Sequence, residues 1–408
     1  MFDVTKLLRQ MTSLEASDLH LRVGVPPVYR IHGDLKRVKM DPVTQQDMEN
    51  MLHGMLTNAQ RERFDREMEL DFALQLKSGE RFRVNLFHQR ETFATAFRLI
   101  NTDIPNFNEL NLPKVVKDIS DLRRGLVLVT GVTGSGKSTT LAAMIDYINN
   151  SRAENIITIE DPIEYLHTSK NSIVAQREIG IDTFSYSEAL RRAMRQDPDV
   201  VLVGEIRDAD TMQIALQAAD TGHLVLSTLH TLDALQTIYR ILSFFPPHQH
   251  QEIRLVLSSV LQAIISQRLI PRSDQPGRVP AVEVLVGTAA VRECIVTPEK
   301  TAGVKDLIAE GAVQYGMQTI DQSLFYFYRR GIISLETALT YATNPDDFKL
   351  RVAGIIGGSD KGWKEFEIET EGGKKKENDS EEIVSPPKED DEKPLAENRG
   401  FNTNKGKK

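Results

Sequence analysis

Cysteine is almost absent from this 408-residue chain. Cys294 stands alone, which excludes an intrachain disulfide framework and a cysteine-rich zinc site. A reducing compartment suits such a composition. Long apolar runs are also missing; none approaches the roughly 18 residues that a membrane-crossing helix requires. The first residues, MFDVTKLLRQMTSLEASD, lack the basic-then-apolar order of a secretory leader. The expectation is a cytoplasmic protein whose membrane association is at most peripheral. There is no excess of positive charge: the formal net charge is -8. Together with the lack of a basic stretch interleaved with aromatics, this argues against direct binding of nucleic acid.

What is present is ordinary for a folded protein of two or three domains, with 40% hydrophobic and 26% charged residues. Residues 1–100 read as a small α+β unit. Leu19, Leu21 and Val23 alternate with Asp18, His20 and Arg22, the period-two mark of a half-buried strand. RIHGDLKRV reads as a hairpin turning at Gly33-Asp34, and Thr44 with Asp47 forms a capping box for the helix that follows. RFRVNLFHQ (81–89) and FATAFRLI (93–100) read as partner strands. The proline- and asparagine-rich stretch NTDIPNFNELNLP falls in 101–122, expected to be an interdomain linker.

From there to residue 358 the pattern changes. LVLVT (126–130), IITI (156–159), VVLV (200–203) and LVLST (224–228) are continuous apolar runs between helical stretches. Such strands are buried on both faces, as in a parallel sheet covered by helices. The predicted fold class is therefore α/β, with a mainly parallel sheet behind a smaller α+β domain. Residues 359–408 are dense in charge of both signs, with few apolar groups, and are predicted to be a disordered tail.

GVTGSGKS, Gly131 to Ser138, fits the full phosphate-loop pattern between an apolar run and a helix. Its glycines allow backbone N–H groups to wrap phosphates at a helix N-terminus. Gly131, Val132, Thr133, Gly134, Ser135, Gly136, Lys137, Ser138 and Thr139 form the candidate ATP-binding set. Lys137 would reach the β- and γ-phosphates, and the Ser138 hydroxyl would ligate Mg²⁺. In DPDVVLVGEIRD, Glu205 follows a buried run, where it can hold the Mg²⁺ shell or orient water.

TIEDPIEYLH places Glu160, Asp161 and Glu164 after another such run, with Pro162 closing the strand. One of these carboxylates can serve the attacking water, and Asp161 can support Mg²⁺. A plain acidic turn is the alternative. His223 and His230 bound one apolar run; a γ-phosphate role, a bridge to a neighbouring subunit or a structural role fits them. His248 and His250, and Arg191, Arg192 and Arg195, read as surface groups.

GVTGSGKST, ITIEDPIEY, QREIG, DPDVVLVGEIRD and TGHLVLSTLHT, in this order and spacing, resemble the secretion ATPase superfamily. Within it they are most similar to the type IV pilus retraction, or twitching-motility, ATPases of the PilT/PilU family, over roughly residues 1–355. The resemblance implies a PAS-like N-terminal domain, a RecA-like core and a ring-shaped homohexamer. It puts the catalytic glutamate on Glu164, the Walker-B glutamate on Glu205, and a histidine box on His223 through His230. Arg81, Arg83 and Arg98 become candidates for contacting nucleotide held by an adjacent subunit. The implied partners are an inner-membrane pilus platform protein, met at the cytosolic face, and a second retraction ATPase. Val132 replaces a usual proline. AVRECIVTPEK departs from the AIRNLIRE-like segment of PilT-type motors, and the final segment looks closer to PilU, which implies an accessory retraction role. Pilus extension or type II secretion is disfavoured, because those ATPases carry a longer N-terminal region and a tetracysteine module.

Overall fold

The computed structural model describes residues 2–354, apart from positions 32 and 101. The predicted charged tail lies outside the described residues. The chain starts with α1 (Val4–Ser13), followed by β1 (Ala16–Arg22), β2 (Val28–Ile31) and β3 (Asp34–Arg37). Helices α2 (Gln45–Met55) and α3 (Asn58–Glu67) lead to β4 (Glu69–Gln75), β5 (Arg81–Gln89) and β6 (Thr92–Leu99). The six strands form one antiparallel sheet in the order β3-β2-β1-β6-β5-β4.

Alternation decides which face is buried. Leu19, Phe97, Val84 and Phe72 lie in register across β1, β6, β5 and β4. They join Leu7, Leu8 and Met48 from the helices in one apolar core. The capping box forms as expected: the Asp47 amide donates to Thr44 Oγ1 at 3.1 Å, and the Thr44 amide donates back to Asp47 Oδ2 at 3.0 Å. One residue departs from simple alternation. Asp18 is on the polar face yet only 6% exposed, because Arg98 Nε approaches it to 2.8 Å and Arg30 flanks it at 3.8 Å.

The second sheet begins after α4 (Val115–Ser120), with β7 (Gly125–Thr130), α5 (Lys137–Ser151), β8 (Asn155–Glu160) and β9 (Ile173–Glu178). It continues through α6 (Tyr186–Ala193), β10 (Val200–Val203), α7 (Ala209–Asp220), β11 (Leu224–Leu229), α8 (Ala234–Ser243) and α9 (His250–Val260). It ends with β12 (Leu261–Pro271) and β13 (Arg278–Val286). The order is β13-β12-β7-β11-β10-β8-β9, and only the β12–β13 pairing is antiparallel.

The four apolar runs are the adjacent strands β7, β11, β10 and β8. They are continuous because apolar layers cover both sides: Val127 and Val129 pack with Ile145 and Ile148 of α5, while Leu126 and Leu128 share a layer with Ala215 of α7. The stretch from 101 to 113, expected as a linker, applies Phe107, Leu110 and Leu112 to the α5 side of this sheet. Beyond β13 come α10 (Ala289–Val296), α11 (Val304–Glu310), α12 (Ala312–Tyr315), α13 (Ile320–Arg329), α14 (Leu335–Tyr341) and α15 (Pro345–Val352). Leu324 and Phe325 of α13 cluster with Ile270 and Val279 at the β12–β13 end.

Leu226 is fully buried at the centre of this sheet. Leu226→Ala should lower unfolding stability by about 2–5 kcal/mol, because the rigid layers on either side can collapse only partly into the cavity. Denaturant unfolding of the purified variant measures it.

Candidate active site

Parallel strands bring their C-terminal ends to one edge, so the segments after Thr130, Glu160, Val203 and Leu229 meet there. The loop after β7 turns from buried strand into helix across Gly131–Gly136. Gly131 sits at φ 143°, and a Cβ there would lie 2.5 Å from both the Gln267 carbonyl oxygen and Ser135 Oγ. Only glycine fits that position. Gly136, at φ 93°, is the residue before α5. Lys137 opens the helix, and its Nζ donates to the carbonyls of Gly131 at 2.9 Å and Val132 at 3.0 Å. Burial lowers its pKa, while Glu205 and Glu164 act in the opposite direction. Ser135 Oγ is buried with no hydrogen-bond partner among the described residues. The 15-residue helix α5 thus presents its N-terminus and a lysine beside the phosphate loop, an arrangement suited to an anion.

The acidic segment enters the same edge at the end of β8. Glu160 stays with the sheet: Thr158 Oγ1 donates to it at 2.7 Å and Gln176 Nε2 at 3.1 Å. Burial pushes its carboxyl pKa up. The Asp161–Pro162 peptide is cis, Ile163 is buried, and Glu164 is returned to the exposed side. A hydrogen bond of 3.1 Å between Thr139 Oγ1 and Tyr165 Oη ties this segment to α5.

Just past β10, Glu205 meets an arginine and a histidine. Arg207 donates to its Oε2 through Nε at 2.9 Å, and His230 Nε2 lies 3.1 Å from its Oε1. Burial alone would raise the Glu205 pKa; Arg207 and His230 outweigh it and hold the carboxyl below the usual glutamate range. Thr228 Oγ1 donates to the Gly204 carbonyl at 2.7 Å, locking the strand end that carries Glu205.

These groups line one cavity of about 400 Å³. Thr133, Gly134, Lys137 and Ser138 come from the phosphate loop and α5, Asp161 and Glu164 from the acidic segment, and Glu205 and His230 from the other strand ends. Other predicted residues lie elsewhere. His223 precedes β11, at the opposite edge of the sheet from His230, roughly 20 Å away at ~3.3 Å per strand residue. Its Nδ1 is 2.9 Å from the Ala218 carbonyl oxygen, which fixes the ring to the end of α7. In the chain itself the three candidate arginines do not line the cavity. Arg98 is held by Asp18, Arg83 Nε lies 3.7 Å from Asp71, and Arg81 reaches 3.8 Å from the buried Glu178 on β9.

Among the cavity residues that the sequence reading did not single out are Tyr165, His167, Tyr186, Arg207 and Thr228. Arg207 carried a usable signal, since it stands two positions past a strand-end glutamate. Tyr186 carried none, because it enters from α6.

A family model described as Type II/IV secretion system protein matches residues 3–308. The chain belongs to this family of secretion ATPases. It is 44% identical over 346 residues to the type IV pilus retraction ATPase PilT of Pseudomonas aeruginosa, covering 85% of this chain and 100% of the relative. It is 41% identical to the type IV pilus ATPase PilU of the same organism, over 85% of this chain and 90% of that relative. Among solved structures, the pilus retraction motor PilT with bound ADP matches with a TM-score of 0.78 at 42% identity, over 85% of this chain and 99% of that one. Membership of this ATPase family, together with the ADP bound in the related PilT structure, supports nucleotide binding. Among the described residues no helix is long and apolar enough to cross a membrane.

Proposed function

We propose that this chain hydrolyses ATP to ADP and phosphate at the cavity and uses the cycle to drive retraction of type IV pili. The observation that carries the reading is the convergence of Lys137, Glu164 and the Glu205–His230 pair on one cavity beside a complete phosphate loop. Lys137 exchanges its loop carbonyls for the β- and γ-phosphates. Glu164 aligns the attacking water and accepts its proton, while the Glu205–Arg207–His230 group holds charge and geometry where the γ-phosphoryl group departs.

The donor set fits Mg²⁺: Ser138 offers a hydroxyl and Asp161 and Glu205 offer carboxylates, all hard oxygen ligands. Among the described residues no three or more His, Cys, Asp or Glu side chains gather as a cage. That agrees with an ion bound by one or two carboxylates together with substrate phosphates. When bound, Mg²⁺ would neutralise phosphate charge and so permit the acids beside it.

The arginines at 81, 83 and 98 belong to the first sheet, away from this chain's own cavity, which suits a homohexamer in which one subunit completes its neighbour's site. We place the ring at the cytosolic face of the inner membrane, against a pilus platform protein and in company with a second retraction ATPase. Retraction is favoured over secretion by coverage. PilT is matched along its whole length, whereas the type II secretion protein E of Klebsiella pneumoniae is matched over 54% of its length at 35% identity. Disruption of the gene should leave pili on the surface, normal or in excess, and abolish twitching. Loss of surface pili would instead indicate extension. Restoration of twitching without the second retraction ATPase would separate an independent motor from an accessory one.

A further inference from the structure

Tyr186 is the first residue of α6 and half-buried, with its ring against the apolar layer on the α7 side of the sheet. Its hydroxyl reaches the strand ends. A Cβ placed on Gly204 would lie 3.2 Å from Tyr186 Oη, 3.2 Å from the Ile159 carbonyl oxygen and 3.3 Å from Glu160 Cα. The missing side chain of Gly204 therefore makes the gap, between the ends of β8 and β10, in which the phenol oxygen stands. Those two strands deliver Asp161 and Glu205.

Among the described residues no hydrogen bond holds this hydroxyl, nor does one hold the exposed Asp161 carboxylate, and both groups line the nucleotide cavity. At neutral pH an ordinary phenol, with a pKa of about 10, is an intact O–H donor. A tyrosine present only to fill the apolar layer would need no hydroxyl at this edge.

We propose that Tyr186 is a positioning residue for the metal side of the site, its Oη–H donating to the Asp161 carboxylate and holding it beside Glu205. The inference rests on the Mg²⁺–ATP reading above. It concerns a different link, the orientation of a metal-shell carboxylate rather than phosphate capture.

The test compares the full-length protein with Tyr186→Phe, Asp161→Asn and the double variant. Thermal melting and calorimetric binding of a nonhydrolysable ATP analogue are followed as Mg²⁺ is titrated. Tyr186→Phe keeps the ring, so melting and Mg²⁺-free analogue binding should match the parent. The Mg²⁺ concentration that half-saturates tight analogue binding should rise roughly tenfold, the scale of one hydrogen bond to a charged group. The double variant should shift it no further than Asp161→Asn alone, because the two residues act as one unit. An unchanged Mg²⁺ requirement in Tyr186→Phe, or fully additive shifts, overturns the proposal. Lys137→Ala in the same assay separates the two levels. If it loses analogue binding while Tyr186→Phe titrates like the parent, only the tyrosine assignment falls. If Lys137→Ala binds normally, the nucleotide reading falls with it.

Discussion

Lys137→Ala should bind ATP weakly and turn it over at least roughly 10²–10³-fold more slowly than the parent, the scale seen when a preorganised electrostatic partner is removed from a reacting centre. The side chain has two states to choose between. In the structure its Nζ is satisfied by the carbonyls of Gly131 and Val132, and burial is working against its charge. Phosphate oxygens would replace those neutral acceptors with charged ones, so ligand binding relieves the cost of burying the ammonium. Alanine removes both states and leaves the loop carbonyls without their donor. The loop itself should survive, because its path is set by Gly131 against Gln267 and by the helix that follows. Fluorescent-nucleotide titration and phosphate-release kinetics on the folded variant test this. Parent-like affinity with parent-like turnover would remove the cavity from consideration as the nucleotide site.

Much of the fold around this site is legible in the sequence. A phosphate loop needs a strand before it and a helix after it, and both were visible as LVLVT and TTLAAMIDYI. The four apolar runs announced a doubly covered parallel sheet, and that alone places Glu160, Glu205 and the start of the phosphate loop on one edge. The same argument bears on the histidines. In a parallel sheet the residue before a strand and the residue after it lie on opposite edges, so His223 and His230 cannot both face the cavity of one subunit. Periodicity alone did not reveal this, because it does not state strand direction.

Other parts left little trace. Strand β9, IVAQRE, is at the sheet edge and mixes exposed with half-buried positions, so it lacks the apolar run of its neighbours. Helix α9 passes at Val260 directly into β12 at Leu261, with no glycine or proline between them. In VLSSVLQAIISQRLI the change from one period to the other therefore has no punctuation. Alternation puts Asp18 on the polar face of its strand; two arginines from other strands bury it, which alternation within one strand cannot foresee.

Glu164→Gln is the sharper experiment because it should separate binding from chemistry. Asp161 and Glu164 follow β8 closely, yet Glu160 is bound to Thr158 and Gln176 and is not free to receive a proton from water. Glu205 is held low by Arg207 and His230, which fits a group that remains anionic through the cycle rather than one that takes up a proton. Glu164 is exposed to the cavity, and among the described residues no hydrogen bond or ion pair holds its side chain. With Asp161 given to the metal side in the proposed mechanism, the Glu164 carboxylate is the one proposed to orient the nucleophile. Glutamine preserves size and hydrogen-bonding capacity but cannot accept the proton. ATP affinity should stay within a fewfold of the parent while kcat falls about 10²–10⁴-fold, the range for loss of a general base. Glu205→Gln should differ in kind: it breaks the Arg207–Glu205–His230 group, so both the Mg²⁺ requirement and turnover should suffer. Near-parent kcat in purified Glu164→Gln would move the base elsewhere. A matching loss of binding and turnover would make Glu164 a ligand-holding residue instead.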